Sequence, residues 1–134
     1  MATPMIGRSK APLVVIAHLD GRRSQGYVFD FLPTKERCRV FPSAAAKQDE
    51  GEEINVRELK ALFFLRAPSD PPPLAPMAGR RKLEVIFADK ERLEGTTEGY
   101  SKDRLGFFMV PEDPTEKIIR VFVVNQNVAS VKWL

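Results

Sequence analysis

The chain of 134 residues contains one cysteine, Cys38, and one histidine, His18. A lone cysteine can close no internal disulfide and supply no thiolate cluster, and a lone histidine has no second imidazole with which to share a metal. Tryptophan occurs once and tyrosine twice, with no aromatic run of the kind that stacks RNA bases and no Arg-Gly repeat. No apolar stretch approaches the ~20 residues of a membrane span. Residues 1–11 carry Arg8 and Lys10 but no apolar stretch behind a charged region, so no signal peptide is expected and the expected compartment is the cytoplasm. Gly21 and Gly26 lack the spacing and the following helix of a phosphate-binding loop. No motif sets a nucleophile beside a base. A non-enzymatic protein with no cofactor and no metal is therefore expected. The charge excess is small, +3, and argues only weakly for an anionic partner.

What is present is the composition of an ordinary soluble protein, 43% apolar and 29% charged. The most patterned stretch is Leu83 to Val110. Leu83, Val85 and Phe87 alternate with Glu84 and Ala88, the period of a half-buried strand. Asp89-Lys90-Glu91 breaks the alternation where a hairpin would turn. Gly95 then falls inside the second strand, where glycine marks a bend or a close backbone approach.

The same signature occurs earlier, displaced by about 69 residues. Val14, Ile16 and His18 fall on Leu83, Val85 and Phe87; Asp20 falls on Asp89, Arg23 on Arg92 and Gly26 on Gly95. With no gap, Pro42 falls on Pro111, Leu62 on Val131, Phe64 on Trp133 and Leu65 on Leu134. Overall identity is low, but the matching columns are those where backbone geometry limits the residue: turn aspartate, bend glycine, strand-end proline. The expected fold is all-β, with two tandem SH3-like or Sm-like small β-barrel units related by internal duplication. Residues 1–12 read as a flexible tail, 13–66 as the first unit, 67–79 as a linker and 80–134 as the second unit. The linker contains Pro71-Pro72-Pro73 and reads as extended and semi-rigid. Within each unit the order is a bent hairpin, a third strand ending at proline, a fourth strand, a short turn and a closing strand. That short turn is expected at Arg57-Glu58-Leu59-Lys60 and again at Asn125-Gln126-Asn127.

This order resembles Sm-like and SH3-like barrels in part. The base-contacting asparagine of the Sm pattern has no match among Asp30 to Arg37, and the Arg-Gly of its second motif is missing from Ala61 to Leu65 and from Ser130 to Leu134. The arginine pair and Asp-x-Ser-x-x-Gly of PilZ barrels are not met either. A closer resemblance is to an uncharacterised bacterial domain family. It is carried by Gly79-Arg80-Arg81-Lys82-Leu83-Glu84-Val85, Gly95-Thr96-Thr97-Glu98-Gly99-Tyr100, Gly106-Phe107-Phe108, and Pro111 with Asp113-Pro114. In the first unit it is carried by Asp20-Gly21-Arg22, Gly26-Tyr27 and Leu59-Lys60-Ala61-Leu62-Phe63-Phe64. The resemblance covers most of residues 13–134 and implies family and architecture, not an activity.

His18 occupies the column of Phe87 and reads as a packed, hydrogen-bonded core or rim residue, and Cys38 shares the column of Phe107 as a small buried one. Asp20 and Asp89 sit at turns, where aspartate serves the local backbone. The chain has two candidate surfaces. The first is apolar: Val15, Ala17 and Leu19 beside Phe63 and Leu65, on the face of the first unit turned away from its own core. Such a patch is expected to be covered, by the second unit or by another chain. The second is basic: Arg22 and Arg23 at the first turn, Lys35, Arg37 and Arg39 at the second, Arg80, Arg81 and Lys82 at the start of the second unit, and Lys102 and Arg104 in its second turn. These could form an anion-binding rim. The expected function is an interaction or adaptor module of a bacterial regulatory or signalling system, binding a protein partner or itself through the apolar face. The alternative is an Sm-like RNA-binding protein that uses the basic turns.

Overall fold

The computed structural model describes residues 13–28, 31–43, 50–65, 81–111 and 118–134. The expected tail, the proline-rich linker and Arg80 lie outside them. Ten strands form: β1 Leu13–His18, β2 Arg23–Val28, β3 Arg37–Phe41, β4 Glu52–Asn55, β5 Leu59–Leu65, β6 Arg81–Phe87, β7 Arg92–Thr97, β8 Gly106–Pro111, β9 Ile118–Val124 and β10 Val128–Trp133. Short 3-10 turns, Val56–Glu58 and Asn125–Asn127, precede β5 and β10. The first begins before the expected Arg57, because the Asn55 side chain accepts the Arg57 N–H at 3.0 Å and caps the turn there. Among the described residues, no helix is long and apolar enough to cross a membrane.

All ten described strands join one antiparallel sheet in the order β10-β6-β7-β8-β9-β5-β1-β2-β3-β4, which among the described residues does not close. The fold is all-β, as expected, and the strands expected in two small-barrel units form one continuous open sheet. The reason lies in the middle of the sheet, where β5 pairs with β9, Phe63 opposite Val121 and Leu62 opposite Phe122.

This central pair is buried on both faces. Leu62 and Phe64 of β5, with Phe122 and Val124 of β9, enter a core that also holds Val14, Ile16, Val28 and Cys38. Ala61 of β5, with Val121 and Val123 of β9, enters a second core with Leu83, Val85, Phe87 and Met109, against which Phe63 packs. Successive strand residues face opposite sides, so each central strand supplies both cores. This accounts for the unbroken apolar runs Ala61–Leu65 and Val121–Val124, the pattern of strands covered on both faces.

The residue pairings in the two halves match at the displacement seen in the sequence. Val14 faces Gly26 as Leu83 faces Gly95; Cys38 faces Ile54 as Phe107 faces Val123; Ile16 faces Leu62 as Val85 faces Val131. Even the register shift recurs, between His18–Leu59 and Ala17–Ala61 in the first half and between Phe87–Val128 and Ile86–Ser130 in the second. The first hairpin turns with φ of 92° at Gly21, the second with φ of 75° at Lys90, the corresponding position. Asp20 Oδ1 accepts the Arg22 N–H at 2.9 Å and Asp89 Oδ1 the Glu91 N–H at 3.0 Å, so both aspartates do serve their turns.

Candidate functional site

The apolar face expected on the first unit is divided by the packing of the two halves. Ala17 is fully buried against β5. Val15, Phe63 and Leu65 remain partly open and, with Leu93 and Ile118, line a groove of about 270 Å3. Arg23, Glu91 and Arg92 stand at its edges. The Arg23 guanidinium lies 5.3 Å from the centre of the Phe63 ring and 3.8 Å from Glu91 Oε1. The groove thus has an apolar floor and a rim carrying both charges. Leu19, 47% exposed, lines a separate hollow with Lys60, Ala88, Asp89 and Asn127.

Lys60, absent from the candidates read in the sequence, links the two halves here. It sits at the β5 register shift and is only 6% exposed. Its Nζ donates to Asp89 Oδ2 at 2.7 Å and to Glu91 Oε1, and lies 5.0 Å from the centre of the Phe87 ring. Burial alone would lower the Lys60 pKa, but the hydrogen bonds to the two carboxylates outweigh it and the net shift is upward. The Lys60 hydrogen bond and the Glu91 backbone N–H hold the Asp89 carboxyl below its usual range. The one sequence signal was a lysine interrupting the apolar run Leu59–Leu65.

Lys60→Ala is expected to cost about 2 kcal/mol, for the lost charge-assisted hydrogen bonds and the cation–π contact. Asp89 and Glu91 are well exposed, which keeps the figure from being larger. Asp89, with a lowered folded pKa, contributes stability above 3.8 that is lost as the pH falls through its folded value. Lys60, with a raised pKa, contributes below 10.5 and loses that contribution only in stronger alkali. The gap in melting temperature between wild type and Lys60→Ala should therefore be flat from about pH 5 to about pH 9 and narrow towards about pH 3. Thermal melts across that range check it.

The basic candidates do not converge on one rim. Arg22 is paired with Asp20 at 2.7 Å and Arg37 with Glu53 at 3.4 Å. Arg39 lies on β3 beside them, opposite Glu53 on β4. Arg81 stacks on Trp133 at 4.1 Å near the far edge of the sheet, with Lys82 next to it on β6. The second turns of the two halves do meet among the described residues. Thr34, beside Lys35, shares a hollow of about 470 Å3 with Lys102 and Arg104, and there Arg57 and Glu36 form an ion pair at 3.3 Å.

A second residue missed in the sequence, Arg120, lies in a neighbouring cavity of about 530 Å3 with Arg104, Thr96 and Thr97. Its guanidinium stands 4.1 Å from the centre of the Phe108 ring and 4.9 Å from that of Phe64, and burial lowers its pKa. His18 Nε2 is 2.9 Å from Ser24 Oγ, and Cys38 is buried in the first core. Among the described residues, no group of three or more histidine, cysteine or acidic side chains is arranged to hold a metal ion.

These features define an all-β protein built on one open antiparallel sheet of ten strands. The chain belongs to DUF6982, a family of unknown function, which it matches over residues 10–134. The resemblance to an uncharacterised domain family is thereby established. No curated protein and no solved structure matches the chain.

Proposed function

We propose that the protein is a non-enzymatic binding module of a bacterial regulatory system, taking an apolar segment of a partner protein into the groove formed by Val15, Phe63, Leu65, Leu93 and Ile118. The observation that carries this reading is Phe63. It packs against the second core yet keeps an accessible face under Arg23, between charges of both signs. An accessible aromatic anchor within a charged rim suits protein recognition. The reading also takes the halves as duplicated SH3-like or Sm-like units. In support, both halves have the same strand order, the same pairings and the same 3-10 turn before the last strand.

Leu65→Glu tests the groove with little disturbance of the cores, since Leu65 is only partly buried at the end of β5. Affinity capture from the native host should recover a partner with the wild type and lose it with Leu65→Glu, with melting temperatures within a few degrees of each other. Capture indifferent to that substitution would end the reading. Phe63→Asp should also lose the partner, at an additional cost of about 2 kcal/mol for the buried part of the ring.

RNA binding is the second reading, drawing on Lys102 and Arg104, joined in the structure by Arg57 and Arg120. It requires a gel shift of single-stranded RNA that weakens steeply with salt. No shift at low salt removes it.

A further inference from the structure

The β5–β9 junction leaves a matching pair of strands at the two ends of the sheet. It joins the last strand of the first half to the fourth strand of the second. The strands in the corresponding positions, β10 and β4, are the two edges of the sheet, and no described strand pairs with their outer sides. We infer that β10 of one molecule pairs antiparallel with β4 of another, in the register that β5 adopts on β9, and that the protein assembles head to tail through this contact. The inference concerns the sheet edges and is independent of the groove.

The register follows from the internal junction. Phe63 faces Val121 there, so Lys132 would face Glu52; Phe64 faces Arg120, so Trp133 would face Gly51; Leu62 faces Phe122, so Val131 would face Glu53. The edges are complementary in this arrangement. Lys132 and Glu52 are both exposed and no ion pair within 4 Å holds either among the described residues, although Lys132 also stands opposite Glu84 on β6. Directly opposed residues on paired strands are near neighbours, so opposite charges there attract and like charges repel. Trp133, 39% exposed beneath the stacked Arg81, and Leu134, 56% exposed, stand at the β10 edge, whereas Phe64, the counterpart of Trp133, is buried where β5 pairs with β9. Gly51 has no side chain of its own, and the Phe41 ring lies 2.6 Å from where its Cβ would be, so the incoming tryptophan would pack beside that ring.

The contact is heterologous, because the two edges differ, so repetition gives a closed ring or an open filament. It is more charged than the internal junction, where Val121 and Phe122 stand in the places of Glu52 and Glu53. Association should therefore be reversible and weaken as salt screens the edge charges.

Sedimentation velocity from micromolar to sub-millimolar concentration, at low and at physiological ionic strength, tests the inference. The wild-type mass should rise with concentration, more so at low salt. Lys132→Glu and Glu52→Lys lie at exposed edge positions and should leave circular dichroism unchanged. Each alone sets like charges across the contact and should weaken association at least about tenfold. An equimolar mixture should assemble again with the two variants alternating, since each then meets only opposite charge. The inference is overturned by a wild type that stays monomeric throughout, by single variants that assemble like the wild type, or by a mixture no better than its components.

Discussion

Phe122→Ala should destabilise the protein by about 3–5 kcal/mol, the usual range for emptying a fully buried phenylalanine site. Phe122 has no exposed surface, and its ring packs 4.9 Å from that of Phe31 and 5.1 Å from that of Phe108, centre to centre. Its strand neighbours Val121 and Val123 are equally buried, but in the other core. Distortion of β9 on one face therefore reaches the other. Loss of stability should appear equally in both halves, as one cooperative transition. The single tryptophan allows the check, because Trp133 reports on the second half while Phe122 fills the core of the first. Denaturation followed by tryptophan fluorescence and by far-ultraviolet circular dichroism should give coincident curves, both shifted in Phe122→Ala. A fluorescence curve left in place would mean that the halves melt independently.

Gly95→Ala should cost about 3 kcal/mol or more, the upper end for overpacking a strand contact. A Cβ there would come 2.1 Å from the Val110 carbonyl oxygen, a backbone atom that cannot swing aside, and 2.9 Å from the end of Met109. The corresponding Gly26 provides the control. Its added Cβ would meet Val40 Cγ1 at 2.2 Å, a side-chain tip that can rotate, with the nearest backbone oxygen at 3.2 Å. Gly26→Ala should cost about 1 kcal/mol by the same reasoning. Chemical denaturation of the two variants, made in parallel, should show the gap. Equal costs would mean that β7 and β8 can separate as easily as β2 and β3.

Much of the local structure could be read from the order of residues. Alternation in Leu83–Phe87 locates a strand, Asp20-Gly21 and Asp89-Lys90 locate turns, and Gly95 marks a bulge, a bend or a close approach, of which the structure shows the close approach. The apolar face was half legible. Val15, Phe63 and Leu65 do line a groove, but Ala17 is sealed and Leu19 faces a different hollow. What divides them is the second half of the chain, which no local pattern places. Lys60 shows the same limit. A lone lysine in an apolar run signals that something must meet its charge, yet its partners lie about thirty residues further on, across a junction between strands that are not consecutive.

The sequence by itself determined the strands, their turns and the recurrence of one pattern, because side-chain period and turn chemistry act over a few residues. Tertiary structure alone decided that the two patterns share their cores and that the sheet stays open. Those outcomes follow from the pairing of β5 with β9, which is selected by how much apolar surface each strand buries on both faces at once.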